Sequence, residues 1–92
     1  MNDEQKSQLG KDAQSVLDNA AYQDAYAQIE ARLVETWKAA RTQDEREECH
    51  QLLRVLEKVH EVLDNTMRVG KLADDVMKRK RTFADKLLKR SA

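Results

Sequence analysis

Apolar side chains recur at intervals of three and four residues along most of this chain, and no proline interrupts them. Such spacing places the apolar side chains on one face of an α-helix. The 92 residues include only two glycines, Gly10 and Gly70, and few β-branched residues, which also favours long helices over strands. The sequence therefore predicts an all-α protein that forms a single small helical domain over residues 1–92.

Two segments carry the strongest periodicity and are predicted to be long helices. The first covers about residues 20–40, and Asp18 and Asn19 stand just before it, where an N-cap side chain is wanted. The second covers about residues 43–69. Thr42 opens it with the spacing of a capping box. Gly70 is predicted to end it, because glycine tolerates the left-handed conformation found just past helix ends.

These two helices are predicted to form an antiparallel hairpin over residues 19–70, since the connection between them is only a few residues long. Weaker helices are predicted to flank the hairpin: a short or frayed one in residues 1–18, interrupted by Gly10, and a basic amphipathic one in residues 71–92. The residues expected to be buried between the two long helices are Ile29, Leu33, Leu52, Leu56, Val59 and Leu63.

A second set of apolar residues lies outside the predicted hairpin contact. Val55, Val62 and Val69 repeat every seven residues and lie roughly 100–140° round the helix from Leu56. One partner helix cannot cover both faces. Cover would come from the terminal helices of the same chain, in particular residues 72–88, from a second copy of the chain, or from a different protein. The three valines are therefore predicted to bind a partner, with a homodimer or higher oligomer as one form.

The net charge of zero hides an acidic body and a basic tail. Residues 1–76 contain 16 acidic and 10 basic side chains, whereas residues 77–92 contain seven basic and one acidic. Such a basic amphipathic segment can bind phosphates, an acidic protein groove or a membrane surface, or it can be a solvated helix end paired with the acidic body. The predicted partner-binding residues of this segment are Lys78, Arg79, Lys80, Arg81, Phe83, Lys86, Lys89 and Arg90.

The spacing Glu-x-x-His, which carboxylate-bridged di-iron proteins use, occurs at Glu47–His50 and again at Glu57–His60. The first pair points to solvent on the helical wheel. Both pairs also lie on one helix, whereas a di-iron bundle draws them from different helices. A dimer that combined Glu30, Glu57 and His60 of each chain would resemble the encapsulated ferritins, but the ligand spacing does not match that pattern well. No metal ligand and no cofactor is therefore predicted.

Other catalytic patterns are lacking in the sequence. The single cysteine, Cys49, is interpreted as a small buried apolar residue, because the neighbouring His50 lies about 100° round the helix and cannot activate it. There is no glycine-rich phosphate loop, nucleophile elbow or paired-cysteine zinc spacing. The chain is therefore predicted not to be an enzyme. Without a signal peptide or a membrane-spanning run, it is expected in the cytoplasm.

Three stretches carry a family likeness: "NAAYQDAYAQIEARLVETWKAA", "DEREECHQLLRVLEKVHEVLDN" and "GKLADD". The likeness covers about residues 15–76 and rests on Tyr22-Gln-Asp-Ala-Tyr26, Trp37, the Arg-Glu run and Gly70-Lys-Leu-Ala. These stretches resemble small helical proteins of unassigned function encoded in tailed-bacteriophage genomes, often near head and packaging genes. The resemblance implies a phage product that acts in the host cytoplasm or the virion, and it implies no catalytic residues.

The predicted function is that of a non-enzymatic helical interaction protein, an accessory or scaffold-like factor in phage assembly or packaging. Two alternatives stay open. The basic segment at residues 78–90 can bind nucleic acid directly, or the chain can be an inhibitor that docks on a host protein.

Overall fold

The structure, a computed structural model, describes the backbone of residues 1–91 and the side chains of residues 1–89. Three helices follow one another along the chain: α1 (Asp3–Leu17), α2 (Ala20–Ala39) and α3 (Gln43–Ser91). No strand occurs in the part of the chain that is described. The predicted all-α class is confirmed.

Helix α1 begins with a reciprocal cap at Asn2. Its Oδ1 accepts a hydrogen bond from the Gln5 backbone N–H at 2.8 Å, and the Asn2 N–H donates to Gln5 Oε1 at 3.0 Å. Two of the unpaired groups at the helix start are thereby satisfied, and Asp3 and Glu4 in the first turn suit the helix dipole. Gly10, which was predicted to interrupt this helix, lies inside it without a break.

Side-chain caps also mark the start of the other two helices. Asn19 Oδ1 accepts from the Tyr22 N–H at 3.0 Å and opens α2. At the start of α3, Thr42 Oγ1 accepts from the Glu45 N–H at 3.2 Å, while Glu45 Oε2 accepts from the Arg41 N–H at 3.0 Å. The chain therefore leaves α2 and enters α3 within three residues.

Helix α3 is 49 residues long and passes through Gly70 without interruption. The prediction that Gly70 ends the second helix at residue 69 is therefore wrong, and residues 71–91 continue α3. Neither glycine has a positive φ. A Cβ atom built on Gly70 would lie 2.7 Å from the Cα atom of Gly10. Glycine is needed at this position for the close approach of two helix backbones, and not for a left-handed turn.

Helix α1 packs against the C-terminal half of α3 and runs in the opposite direction. Small residues form the contact, and several of them are buried: Ser7, Gly10, Ala13, Gly70 and Ala73. Three pairs along the contact fix the direction of α1: Asp3 with Lys80, Ser7 with Asp74, and Gly10 with Gly70.

Helix α2 lies against the N-terminal part of α3. The rings of Tyr26 and His60 are 5.5 Å apart between centroids, and Leu33 and Trp37 line a groove together with Cys49. Helices α1 and α2 thus lie one after the other along α3. The structure is consequently a single layer of paired helices and not a bundle.

The molecule is a thin rod of 77 × 24 × 16 Å. Its radius of gyration is 20.9 Å, whereas a compact chain of this length would have about 12 Å. Among the described residues, the buried apolar side chains are only Ala13, Cys49 and Ala73, and no large side chain is fully buried. Each helix therefore has apolar surface that no other helix of the chain covers.

The residues predicted to be buried between α2 and α3 divide into two groups. Leu33, Leu56 and Leu63 are half-buried. The prediction is wrong for the other three, whose exposed fractions are 47%, 50% and 49%: Ile29, Leu52 and Val59. The reason is geometrical, because one neighbouring helix covers only one side of an apolar face this wide.

Candidate interaction surface

Helix α3 carries two adjacent apolar stripes, and both have the alternating spacing of three and four residues that is typical of a heptad repeat. The packed stripe faces α1 and α2 and consists of Cys49, Leu53, Leu56, His60, Leu63, Met67, Gly70, Asp74 and Met77. The open stripe lies beside it and consists of Leu52, Val55, Val59, Val62, Thr66, Val69, Ala73, Val76, Lys80 and Phe83.

The open stripe is exposed over its N-terminal half, whereas in its C-terminal half Ala73 is buried beneath α1, and Thr66 and Val76 are half-buried. The exposed fractions of the three predicted valines are 63% for Val55, 54% for Val62 and 39% for Val69, and that of Phe83 is 64%. Thr66 at the centre of the stripe presents no unpaired hydroxyl, because its Oγ1 donates to the Val62 carbonyl at 2.8 Å. The stripe can therefore be covered by apolar side chains without leaving that donor unsatisfied.

Helix α1 extends this surface near the C-terminal half of the open stripe. Leu9, Ala13 and Val16 follow one another at spacings of four and three, so they share one side of α1. Ala13 is buried, whereas Leu9 and Val16 are 45% and 40% exposed. The opposite side of the α1–α3 contact is polar and is lined by Lys11 and Lys71. The exposed residues of this side of α1 therefore border the open stripe on the same side of the α1–α3 contact.

Residues 72–88 do not cover the three valines. They continue α3 beyond Gly70, and a continuous helix cannot fold back onto its own surface. This removes residues 72–88 from the predicted sources of cover, and the other terminal helix, α1, covers Ala73 but leaves the three valines exposed. A second copy of the chain and a different protein remain.

The basic segment occupies the last turns of α3. Its predicted partner-binding residues are exposed as far as the side chains are described: Lys78, Arg79, Lys80, Arg81, Phe83, Lys86 and Lys89. The side chain of Arg90 lies outside the described residues. Lys80 approaches the acidic body, with its Nζ 3.9 Å from Asp3 Oδ2, but remains 75% exposed. Three basic side chains and Phe83 line one shallow groove, which brings positive charge and an aromatic ring onto one face.

A second cluster, of aromatic and charged residues, lies between α2 and α3. The ring centroids of Tyr22 and Tyr26 are 6.2 Å apart, and Tyr26 also contacts His60. Burial raises the pKa of the Tyr26 hydroxyl, and the nearby carboxylates of Glu30 and Glu57 act in the same direction. This phenol therefore stays protonated at neutral pH and cannot act as a general base.

No group of three or more His, Cys, Asp or Glu side chains that could hold a metal ion occurs in the described part of the chain. Glu57 and His60 lie one turn apart on α3, beside Tyr26. Cys49 is 7% exposed and belongs to the packed stripe, where it serves as a small apolar side chain. That the protein carries no metal stays a prediction.

Comparisons with known proteins do not assign the chain to a family. No family model, no curated protein and no solved structure matches it. Within residues 1–91, none of the helices combines the length and the apolar character that crossing a membrane requires. The surface must therefore be interpreted from its own geometry and charge.

Sequence reasoning identified only part of the open stripe. Leu52 and Val59 were assigned to the hairpin contact, and Phe83 to a separate helix. The spacing of three and four residues runs from Leu52 through Val69 to Phe83, but it is readable only if the helix is taken as continuous. Because Gly70 was interpreted as a helix end, the second half of the stripe was missed.

Proposed function

We propose that this chain is a non-enzymatic helical interaction protein, encoded by a phage, that serves virion assembly or packaging as an accessory or scaffold-like factor. The open stripe carries this proposal. Among the described residues no group of side chains could hold a metal ion, whereas a continuous apolar stripe runs along one side of α3. Such a surface is typical of a protein whose fold is completed by a partner.

The total exposed surface supports an interaction function. The chain exposes 7593 Å², whereas a compact monomer of 10.7 kDa would expose about 5,500 Å². The excess is about 2,100 Å², and a standard protein interface buries about 800 Å² on each partner. The isolated chain therefore exposes more surface than one such interface would cover.

We further infer that α2 and the first part of α3 form an antiparallel hairpin which presents the open stripe. The short connection between the helices and the contact of Tyr26 with His60 support this arrangement. The resemblance to proteins encoded near phage head genes supports the assembly role, with the host cytoplasm or the virion as the place of action.

Affinity capture from infected cells tests the proposal, with two valine variants as a matched pair. Val62→Glu places a charge in the open stripe, where it would have to be desolvated on binding. Val34→Glu makes the same change at an exposed valine of α2 that borders a different groove, beside His50. We expect head or packaging proteins to co-purify with the wild type and with Val34→Glu, but not with Val62→Glu. Identical capture by all three baits would contradict the proposal.

A second candidate function, nucleic-acid binding, is favoured by the basic groove at the end of α3. Lys78, Arg79 and Lys86 flank Phe83 there, and a groove of positive charge beside an aromatic ring suits a phosphate backbone with an unstacked base. No feature of the described residues favours the inhibitor alternative over the other two functions.

Titration of labelled single-stranded DNA at several salt concentrations tests this second function. The double variant Arg79→Glu/Lys86→Glu removes two charges from the groove, and Arg32→Glu/Lys38→Glu makes the same change on α2. We expect Arg79→Glu/Lys86→Glu to weaken binding and Arg32→Glu/Lys38→Glu to leave it unchanged. The first double variant should also reduce the slope of log affinity against log salt concentration, by about 0.7 for each lost phosphate contact. Equal binding by both double variants would exclude the groove as the site.

A further inference from the structure

We propose that the open stripe of α3 is covered by the open stripe of a second copy of this chain, with the two α3 helices antiparallel. The inference rests on the interaction function proposed above, because it names the partner for the same surface. A symmetric dimer of this kind requires that one patch be complementary to itself. Both the spacing and the charge of α3 meet this requirement.

The spacing of the open stripe permits an antiparallel pairing along its whole length. Heptad positions a and d face each other between antiparallel helices, and the open stripe alternates between them from Leu52 at one end to Phe83 at the other. Placing Leu52 opposite Phe83 of the second copy aligns the two stripes over their whole length, although Ala73 is already covered within its own chain. This alignment also sets Val59 opposite Val76, Val62 opposite Ala73, and Thr66 opposite Val69.

The side chains at these positions are compatible with close packing. Val62 falls opposite Ala73, which is already buried within its own chain, so Val62 packs against the flanking apolar side chains Val69 and Val76. Lys80 falls opposite Val55. Its long apolar stem can lie along the stripe while the ammonium group stays in water.

The charge along α3 selects the antiparallel orientation. Residues 44–48 contain four acidic side chains and one basic, whereas residues 77–89 contain six basic and one acidic. An antiparallel pair brings each basic segment to the acidic start of the other α3. A parallel pair would place the two basic segments side by side, where like charges within about 10 Å repel each other.

Sedimentation of the full-length chain tests whether the dimer exists. We expect the wild type and Val34→Glu to sediment with twice the mass of the 10.7 kDa chain, and Val62→Glu to sediment as a helical monomer. Circular dichroism of each variant shows whether the helices are intact. A wild type that stays monomeric at high concentration would overturn the inference, and so would a Val62→Glu variant that remains dimeric.

Spin-label distances test the orientation. Arg54, Arg68 and Thr82 are exposed and lie 14 residues apart, so they occupy the same heptad position on α3. Each is replaced singly by cysteine in a Cys49→Ala background and labelled. In the antiparallel dimer the two labels at residue 68 are close together, whereas those at residues 54 and 82 are separated by about 40 Å along the axis. Three equally short distances would mean a parallel dimer and would overturn the inference.

Failure of this inference is distinguishable from failure of the proposed function. If the wild type is a monomer but Val62→Glu still loses the captured phage proteins, the open stripe binds a different protein and the interaction function stands. If the wild type is an antiparallel dimer and no phage protein is captured, the dimer stands and the assembly role fails.

Discussion

At the scale of single residues, the contact between α1 and α3 depends on glycine, which has no side chain, and on the small residues serine and alanine. Ser7, Gly10 and Ala13 face Gly70 and Ala73. Because the two glycines lack Cβ atoms, the helix backbones themselves come into contact and gain dispersion energy directly. Little apolar area is buried in this way. The shape of the contact therefore matters more than its hydrophobicity.

Replacement of Gly70 by alanine is expected to destabilise the protein, although alanine normally favours a helix by about 0.5–1 kcal/mol over glycine. The new Cβ would lie 2.7 Å from Gly10 Cα and 2.9 Å from the Lys6 carbonyl oxygen, and backbone atoms cannot move aside. We expect a net loss of about 1–3 kcal/mol in the free energy of unfolding, measured in urea at one fixed protein concentration. Ser15→Ala, at an exposed site of α1, serves as the control. A Gly70→Ala variant more stable than the wild type would refute the close approach.

The hydrogen bond between Ser7 and Asp74 is expected to give stability an acid dependence. The Ser7 hydroxyl donates to Asp74 Oδ1 at 2.7 Å. This bond, assisted by the positive charges of Lys11, Lys78 and Arg81, holds the pKa of Asp74 below its ordinary value of 3.8. Because folding lowers this pKa, the ionised carboxylate stabilises the folded state above pH 3.8, and that contribution is lost as the pH falls through the folded pKa.

Ser7→Ala is therefore expected to raise the pKa of Asp74 in the folded protein. The stability that the folded protein loses when Asp74 is protonated should then be lost over a narrower pH range just below 3.8. The carboxyl carbon shift of Asp74, followed by NMR titration, measures the first effect. Ser15→Ala removes a comparable hydroxyl from the same helix and should leave the titration unchanged. An Asp74 titration that does not move in Ser7→Ala would show that the hydrogen bond is unimportant.

At the scale of helices, the sequence predicted correctly those helix starts that are set by neighbouring residues. Helix α2 was predicted over residues 20–40 and is observed at Ala20–Ala39, with Asn19 as its cap. The capping residue at Thr42 was likewise readable from the sequence. Gly70 was misread because its role depends on Gly10, which is distant in sequence. From sequence alone, a glycine that ends a helix cannot be distinguished from a glycine that allows a second helix to pack closely.

The cap of α2 offers a direct test at this scale. Asn19→Ala removes the side-chain oxygen that accepts from the Tyr22 N–H, so one donor at the start of the helix loses its partner. We expect the free energy of unfolding to fall by about 0.5–2 kcal/mol, measured by thermal or urea denaturation. Asn65→Ala, at an exposed position inside α3, should be neutral or slightly stabilising, since alanine is the better helix former there. Equal losses in both variants would contradict a capping role.

At the scale of the whole molecule, the sequence could not predict how the helices are arranged. The wide apolar faces of α2 and α3 suggested a buried contact between them, yet Ile29, Leu52 and Val59 remain about half exposed. Periodicity shows which side chains share a face, but it does not show how many neighbouring helices cover that face. Here α1 and α2 lie end to end along α3, and much of the second apolar side of α3 stays exposed.

This arrangement predicts an unusually long particle in solution. The chain alone has a radius of gyration of 20.9 Å and a longest extent of 77 Å. Two copies paired side by side through antiparallel α3 helices would double the mass while the longest dimension stayed close to that value, because each rod lies along the other. Copies joined end to end would instead double the length. Small-angle X-ray scattering, with the mass taken from the forward intensity, separates these cases. A 10.7 kDa particle with a radius near the compact value of about 12 Å would contradict the rod itself. It would mean that α3 breaks, with Gly70 as the natural point, and that residues 71–91 fold back over the open stripe and cover the three valines.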